Sequence, residues 1–193
     1  MNLNISLDKQ YGIMFSGGIS SSFLLYLALK DTPTAKVQPF HFLNTNSEAP
    51  FISSIIDYFN TKFNWNIPAS IQVGNPFMPL DNQSESALTQ VWTQHSYLDE
   101  VLIGRTAIMT GQSPIIGIPK YPKVVANVKT KQPFLFNTKD EILQMVYNEG
   151  LEDLLALTHS CVTRSTSRCT HCWNCYNRNL AFNKIGKTDP GTN

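Results

Sequence analysis

The sequence predicts an α/β protein built on a parallel sheet. Short apolar runs of strand type alternate along the chain with longer runs of helical period. A small-residue turn, Ser16-Gly17-Gly18-Ile19-Ser20-Ser21-Ser22, joins the first strand-type run to the first helical one. All four cysteines crowd into one late segment, which sets it apart from the alternating part as a metal-binding appendage. The length of 193 residues predicts one domain, 1–193, with the metal-binding segment at 159–178.

The elements follow in order. Tyr11 to Phe15 is apolar and predicts a buried first strand. Phe23 to Leu29 is made mostly of good helix formers and predicts the first helix. Val37 to Leu43 predicts a second strand, with Pro39 pulling it toward an edge or its own beginning. Ser47 to Lys62 predicts a helix: Ser47 is a suitable N-cap, Pro50 suits the first turn, and Ile52, Ile55, Ile56 and Phe59 repeat at helical spacing. Ser70 to Val73 predicts a third strand. Residues 74–83 predict a loop and Ser84 to Leu98 a helix, whose Trp92 and His95 read as packing residues. Glu100 to Gly104 predicts the fourth strand. Thr106 to Thr130 is broken by Gly111, Pro114, Gly117, Pro119 and Pro122 and predicts a long irregular, ligand-covering or partner-covering segment. Thr138 to Asn148 predicts a helix opened by a Thr138-x-x-Glu141 capping box and closed by Gly150. Tyr176 to Lys184 predicts a short last helix, and 186–193 a loose tail.

The serine–glycine turn has a chemistry of its own. Glycine permits positive φ and lets a ligand approach the backbone. The helix that follows opens with amides lacking intrahelical partners, and serine hydroxyls stand among them, so the turn suits a phosphate. It is not a Walker-type loop, since G-x-x-x-x-G-K-[ST] is absent.

Cys161, Cys169, Cys172 and Cys175 follow the spacing C-x7-C-x2-C-x2-C. Four thiolates at short range match the tetrahedral preference of zinc, and a shell filled by protein makes the ion structural. An iron–sulfur cluster accepts the same ligands and stays open as the alternative. His159 precedes the set and His171 lies within it; each could replace a thiolate, but four cysteines make that unnecessary, and both read as outer or surface residues. No cysteine is left over for a disulfide elsewhere or for nucleophilic catalysis.

Composition is that of an ordinary globular chain, 42% hydrophobic and 15% charged, with a net charge of +1. No apolar run reaches the length of a membrane helix. The amino terminus lacks a basic start and a cleavage site, which predicts a cytoplasmic setting, that of the host if the chain is phage-encoded. Charge is unevenly placed. Residues 1–100 carry eight acids and four bases, residues 101–193 six acids and eleven bases. Arg105, Lys120, Lys123, Lys129, Lys131 and Lys139 lie in one acid-free stretch, and Arg164, Arg168, Arg178, Lys184 and Lys187 in another. Such stretches suit an anionic ligand or a solvated basic face alike.

The motifs together carry a resemblance. Ser16-Gly-Gly-Ile-Ser-Ser21 resembles the Ser-Gly-Gly-x-Asp-Ser loop of the PP-loop ATP pyrophosphatases. Ser160-Cys161, then Cys169-x-x-Cys172-x-x-Cys175-x-x-Arg178 and Ala181-Phe182, resemble the zinc segment of the 7-cyano-7-deazaguanine synthases, the QueC family. Asn137-Thr-Lys139-Asp-Glu141-Ile142 is similar to that family's Thr-Lys-x-Glu-Ile helix start, and Val101-Leu-Ile-Gly104 to its fourth strand. Two departures are visible: Ser20 stands where the family carries a magnesium-holding aspartate, and Gly117-Ile-Pro-Lys-Tyr-Pro122 lacks the family's Asp-Cys-Arg stretch.

The resemblance implies a three-layer HUP-type, Rossmann-like sheet with a carboxy-terminal zinc knuckle. It implies ATP, Mg2+ and structural Zn2+ as cofactors. ATP would be held by Phe15, Ser16, Gly17, Gly18, Ile19, Ser20, Ser21 and Ser22, with Phe42, Asn44, Gly104 and Arg105 around the nucleotide. Lys139 and Ser20 would be catalytic, Arg178 would bind substrate, and the four cysteines would hold the metal. The implied reaction activates a small purine-like carboxylate, 7-carboxy-7-deazaguanine, as an acyl-adenylate, and ammonia converts it to an amide and then a nitrile. Partners would be ATP, the carboxylate and ammonia, with a homodimer compatible, no membrane, and nucleic acid disfavoured. Two other readings stay open: a QueC-like protein without turnover that acts as a nucleotide-binding or structural partner, and a tRNA-modifying PP-loop enzyme.

Overall fold

The computed structural model describes residues 1–42, 50–75, 80–107, 124–125, 128–161 and 167–191. Its strands are β1 (Gln10–Met14), β2 (Lys36–Phe42), β3 (Ile71–Val73), β4 (Glu100–Ile103), β5 (Val124–Val125) and β6 (Val128–Lys131). They form one sheet in the order β3-β2-β1-β4-β6-β5, parallel throughout except for β5 against β6. The chain runs outward from β1 through β2 to β3, then returns to place β4 on the other side of β1. The order therefore reverses between β1 and β4, and the carboxyl ends of these two strands flank the crevice where ligands settle in open α/β sheets.

Alternation along β1 explains the layers. Tyr11, Ile13 and Phe15 enter one apolar cluster, and Met14 enters another on the opposite face. The first cluster is covered by α1 (Ile19–Leu29), α2 (Pro50–Phe63), α4 (Lys139–Asn148), α5 (Glu152–Leu157) and α6 (Trp173–Lys184). The second is covered by α3 (Leu80–Gln94) through Ala87, Leu88, Val91 and Trp92. The expected α/β, three-layer, Rossmann-like sheet is thus the observed one.

All eleven residues of α1 are buried. Its leucines and alanine favour helix, it is buried on every side rather than amphipathic, and Lys30 closes it three residues ahead of Pro33. Phe23 of α1 stacks on Phe134 at a centroid distance of 6.0 Å, which fixes the turn leading into α4. At the amino edge of the sheet, the buried Glu100 is held by Lys9 at 2.7 Å and Lys131 at 2.6 Å. Trp92 is buried and the His95 ring packs on Phe40 at 4.8 Å, so both are packing residues as expected.

Several boundaries differ from the expectation. α1 opens at Ile19, so Ser20, Ser21 and Ser22 form its first turn rather than the loop before it. Pro39 lies inside β2, not at an edge: β3 pairs only from Phe40 onward, so the missing N–H falls ahead of that ladder. The Gln38 side chain bridges the gap, donating to the Ala69 carbonyl at 2.9 Å. α3 begins earlier than expected and stops at Gln94. α5 was not foreseen; it is six residues long, too short to show a period. Within the segment expected to be irregular, β6 pairs with β4. Its sequence, Val-Lys-Thr-Lys, carries little apolar signal, and its strand character comes from that neighbour. The capping box of α4 is present, with the Thr138 N–H donating to Glu141 Oε2 at 3.2 Å. The Ser47 N-cap, Asn44 and the segment 108–123 lie outside the described residues.

Gly104 ends β4 against the backbone of α1's first turn. A Cβ there would stand 3.0 Å from the Ser20 carbonyl atoms and from the Ser21 nitrogen. Backbone cannot rotate away as a side chain can. Gly104→Ala should therefore cost about 1–3 kcal/mol, read as a lowered urea midpoint with an unchanged slope.

Candidate functional site

The turn after β1 is shaped by its own hydroxyls. Gly17 has a φ of +70°, and a Cβ on it would come 2.5 Å from the Phe51 ring, so only glycine fits. Gly18 is the N-cap of α1 and has no side chain to offer. The Ser21 hydroxyl donates to the Gly18 carbonyl at 3.1 Å and the Gly18 N–H donates to Ser16 Oγ at 3.4 Å. Ser16 Oγ lies 3.0 Å from Ser21 Oγ, and either hydroxyl can be the donor. The first helical bond of α1 is Ser22 N–H to the Gly18 carbonyl at 3.0 Å, which leaves the amides of Ile19, Ser20 and Ser21 without intrahelical partners. Ser20 Oγ and Ser22 Oγ are buried and have no hydrogen-bond partner among the described residues. Orphan amides and a buried hydroxyl at one helix start are the donor set that a phosphate requires.

Phe15, at the head of the turn, is buried, and its N–H donates to the Phe40 carbonyl at 2.6 Å. Phe42 ends β2 half-buried at the same edge. Gly104 and the half-buried Arg105 follow β4 on the other side of the crevice. Beyond them the Ala107 N–H donates to the Asn137 carbonyl at 2.8 Å, which draws the start of α4 toward the crevice.

Lys139 is the first residue of α4, half-buried, with no carboxylate partner among the described residues. Burial, reinforced by the nearby Arg178 charge, pushes its ammonium down to about 8. Three other bases of those stretches are engaged in ion pairs. Lys131 pairs with Glu100, Lys184 with Asp140 at 2.7 Å, and Arg168 with Asp189. An anion would restore what burial takes from the Lys139 charge.

Arg178 departs from its expected role. It is 0% exposed, and its guanidinium donates to Asp189 Oδ2 at 2.7 Å, Asp189 Oδ1 at 2.8 Å, Thr158 Oγ1 at 2.6 Å, the Thr158 carbonyl at 3.3 Å and the Leu155 carbonyl at 2.9 Å. Those five contacts use every N–H the side chain has. Arg178 is a strut between α6, α5 and the segment after α6, with no donor left for a substrate. The segment 186–191, expected to be loose, is pinned here through the buried Asp189. Burial alone would raise the Asp189 carboxyl, but the Arg178 hydrogen bonds and both guanidinium charges hold it below the ordinary range.

The four cysteines are buried, and their sulfurs all lie within 4.8 Å of one another. Cys172 is the N-cap of α6, Cys175 sits in its first turn, and the Cys172 N–H donates to Cys169 Sγ at 3.1 Å. Thr170, with a φ of +63°, makes the turn between Cys169 and Cys172. Tetrahedral zinc with bonds of about 2.3 Å places its sulfurs about 3.8 Å apart, so this cluster has the dimensions of a shell around one ion, as the expected knuckle requires. No open position remains on such an ion.

One link was missed by sequence reasoning. The His159 N–H donates to the Gly17 carbonyl at 2.9 Å, and its ring stacks on Phe51 at 4.7 Å. The metal segment thus touches the serine–glycine turn directly. No periodicity or motif signals a main-chain contact across 142 positions. A cavity of about 880 Å³ lies elsewhere, at the amino edge of the sheet among Gln10, Lys36, Trp65 and Tyr97.

Comparison with known proteins agrees with the motifs. The family model of Queuosine biosynthesis protein QueC matches residues 115–186, which hold the start of α4 and all four cysteines. The U34-tRNA thiolase NcsA from Methanococcus maripaludis, solved with its [4Fe-4S] cluster, has the same fold at a TM-score of 0.54 and 13% identity, over 94% of this chain and 67% of that one. The FMN adenylyltransferase of Candida glabrata, solved with FMN and the ATP analog AMPCPP and with FAD and inorganic pyrophosphate, is similar at a TM-score of 0.44 and 12% identity, over 72% of this chain and 49% of that one. Comparison with curated proteins gives no match. Among the described residues no helix is long and apolar enough to cross a membrane.

Asp189→Asn leaves two buried guanidinium groups facing a neutral side chain and should cost about 3–5 kcal/mol at pH 7. Because the folded Asp189 carboxyl lies below its unfolded value of about 3.9, its stabilisation is complete above that pH and is lost as pH falls through the folded value. Denaturant melts across this range should show the gap between wild type and variant closing only below about pH 4.

Proposed function

We propose that this chain is an ATP-dependent, QueC-like ligase that activates a small purine-like carboxylate as an acyl-adenylate and passes the acyl group to ammonia. The observation that carries this reading is the serine–glycine turn, with its three orphan amides and buried Ser20 hydroxyl, at the point where the strand order reverses. The QueC match over 115–186 supports the choice of carboxylate, 7-carboxy-7-deazaguanine or a close relative. Phe136 adds a ring that is 90% exposed beside the start of α4, a face on which a flat heterocycle can stack.

The chemistry assigned to these residues is positional and electrostatic. The amides of Ile19, Ser20 and Ser21 and the hydroxyls of Ser16 and Ser20 would hold the β- and γ-phosphates of ATP. Phe42, Asn44, Gly104 and Arg105 would surround the rest of the nucleotide. A substrate carboxylate oxygen attacks the α-phosphorus, and the bond to pyrophosphate breaks. Lys139 would balance the charge that builds on the departing pyrophosphate. Ammonia then attacks the acyl carbon, AMP leaves, and an amide results; a second activation at the amide oxygen allows loss of AMP and gives the nitrile. Magnesium, when bound, would neutralise polyphosphate charge, with Ser20 Oγ as the available protein ligand. Zinc in the Cys161, Cys169, Cys172 and Cys175 shell would be structural, and no step involves a protein thiolate.

A second reading has one specific observation behind it. Ser20 brings no charge to a metal, and the turn 15–22 contains no carboxylate at all. A protein that binds the nucleotide without turning it over would look the same.

Pyrophosphate release with ATP and 7-carboxy-7-deazaguanine separates the two. The ligase reading expects carboxylate-dependent release, raised in Ser20→Asp. Nucleotide binding without release in either protein supports the second reading. Since Lys139 must be protonated to hold an anion, ATP affinity should weaken as pH rises through about 8, and Lys139→Met should abolish that dependence.

A further inference from the structure

We infer that Thr158 and His159 form a strut through which the four-cysteine segment sets the shape of the serine–glycine turn, so that the turn's grip on phosphate depends on the metal. The inference rests on the nucleotide-binding reading for its consequence, though not for the strut itself.

The strut is continuous. On one side, Arg168 and Arg178 belong to the cysteine segment: Arg168 immediately precedes Cys169, and Arg178 lies one helical turn beyond Cys175. Both donate to the Thr158 carbonyl at 3.3 Å, and Arg178 also donates to Thr158 Oγ1 at 2.6 Å. Asp189 clasps both guanidinium groups from behind. On the other side, the next peptide N–H, that of His159, donates to Gly17 at 2.9 Å, and the His159 ring lies on Phe51, the residue that also blocks any Cβ at Gly17. Cys161, two positions further on, returns the chain to the metal shell. The segment 158–161 is therefore held at both ends, by the arginines and by the cysteine cluster, with its middle bonded to the turn.

Without the metal the four sulfurs lose what gathers them, and Cys161 is released from the other three. The His159 N–H is then free to leave the Gly17 carbonyl. Gly17, in the left-handed region with no side chain, is the residue of the turn best able to move when that bond goes. Its movement would misalign the amides of Ile19, Ser20 and Ser21.

The test measures hydrogen exchange of peptides covering residues 15–22, together with ATP affinity by calorimetry. Three samples are compared: metal-loaded protein, chelator-stripped protein, and a metal-loaded His159→Pro variant whose metal content is verified by atomic spectrometry. Proline removes the N–H, and Thr158 already has φ −74° and ψ 140°, the region a residue before proline prefers. The expected result is exchange at 15–22 faster by about tenfold or more in both altered samples. Protection of β4 should be unchanged, and ATP affinity should fall by a similar factor. Unchanged exchange at 15–22 in the metal-loaded proline variant overturns the strut. Faster exchange with no ATP binding by the metal-loaded wild type upholds the strut and overturns the nucleotide reading instead.

Discussion

A guanidinium buried beyond the reach of water must find a partner for each N–H and a counter-charge for the whole. Arg178 meets both conditions with Asp189, Thr158 and Leu155. Satisfying it joins three parts of the chain that are distant in sequence: the end of α5, the first turns of α6, and the segment beyond α6. Replacing Asp189 strands a charge in the interior, which is far more costly than losing an exposed ion pair. The same carbonyl that accepts from Arg178 also accepts from Arg168, and the residue after it bonds to Gly17. The geometry of the serine–glycine turn is therefore tied to a buried ion pair and a cysteine cluster.

The crevice itself follows from topology. A sheet whose order reverses beside β1 leaves the loops after β1 and β4 diverging at their carboxyl ends. Gly104 allows the β4 side to close up against the backbone of α1, and the Ala107 contact with Asn137 brings in α4 with Lys139 at its head. Two helix starts and one lysine without a described acid partner then border the same space. Ser20 is neutral and adds no negative charge to that border. It strengthens the expectation of anion binding while leaving the metal with one fewer charged ligand, which is why binding and turnover are separate questions here.

The alternation of strand and helix, the capping box at Thr138 and the cysteine spacing were legible in the sequence because each rests on local chemistry. β6 was not, because Val-Lys-Thr-Lys becomes a strand only when β4 lies beside it. α5 was hidden by its brevity. Arg178 was legible as a motif position but not as a role: the pattern marks the residue, while its burial under Thr158 and Asp189 is settled by tertiary packing. Asp189 itself sits among Lys, Thr, Pro and Gly, a composition that reads as a loose tail, and only the two arginines reveal its use. The His159–Gly17 bond is between main-chain atoms and leaves no trace in residue type at all. Asn44 and the Gly117 to Pro122 segment, where the substrate end is expected, lie outside the described residues.

The central claim is that the serine–glycine turn grips a nucleotide's polyphosphate. A crystal structure of the metal-loaded protein with a non-hydrolysable ATP analogue tests it most directly. The account predicts phosphate oxygens within hydrogen-bond distance of the Ile19, Ser20 and Ser21 amides and the Ser16 hydroxyl, with the Lys139 ammonium facing the same group. An analogue seated instead in the amino-edge cavity beside Trp65 and Tyr97, with the turn empty, would contradict it.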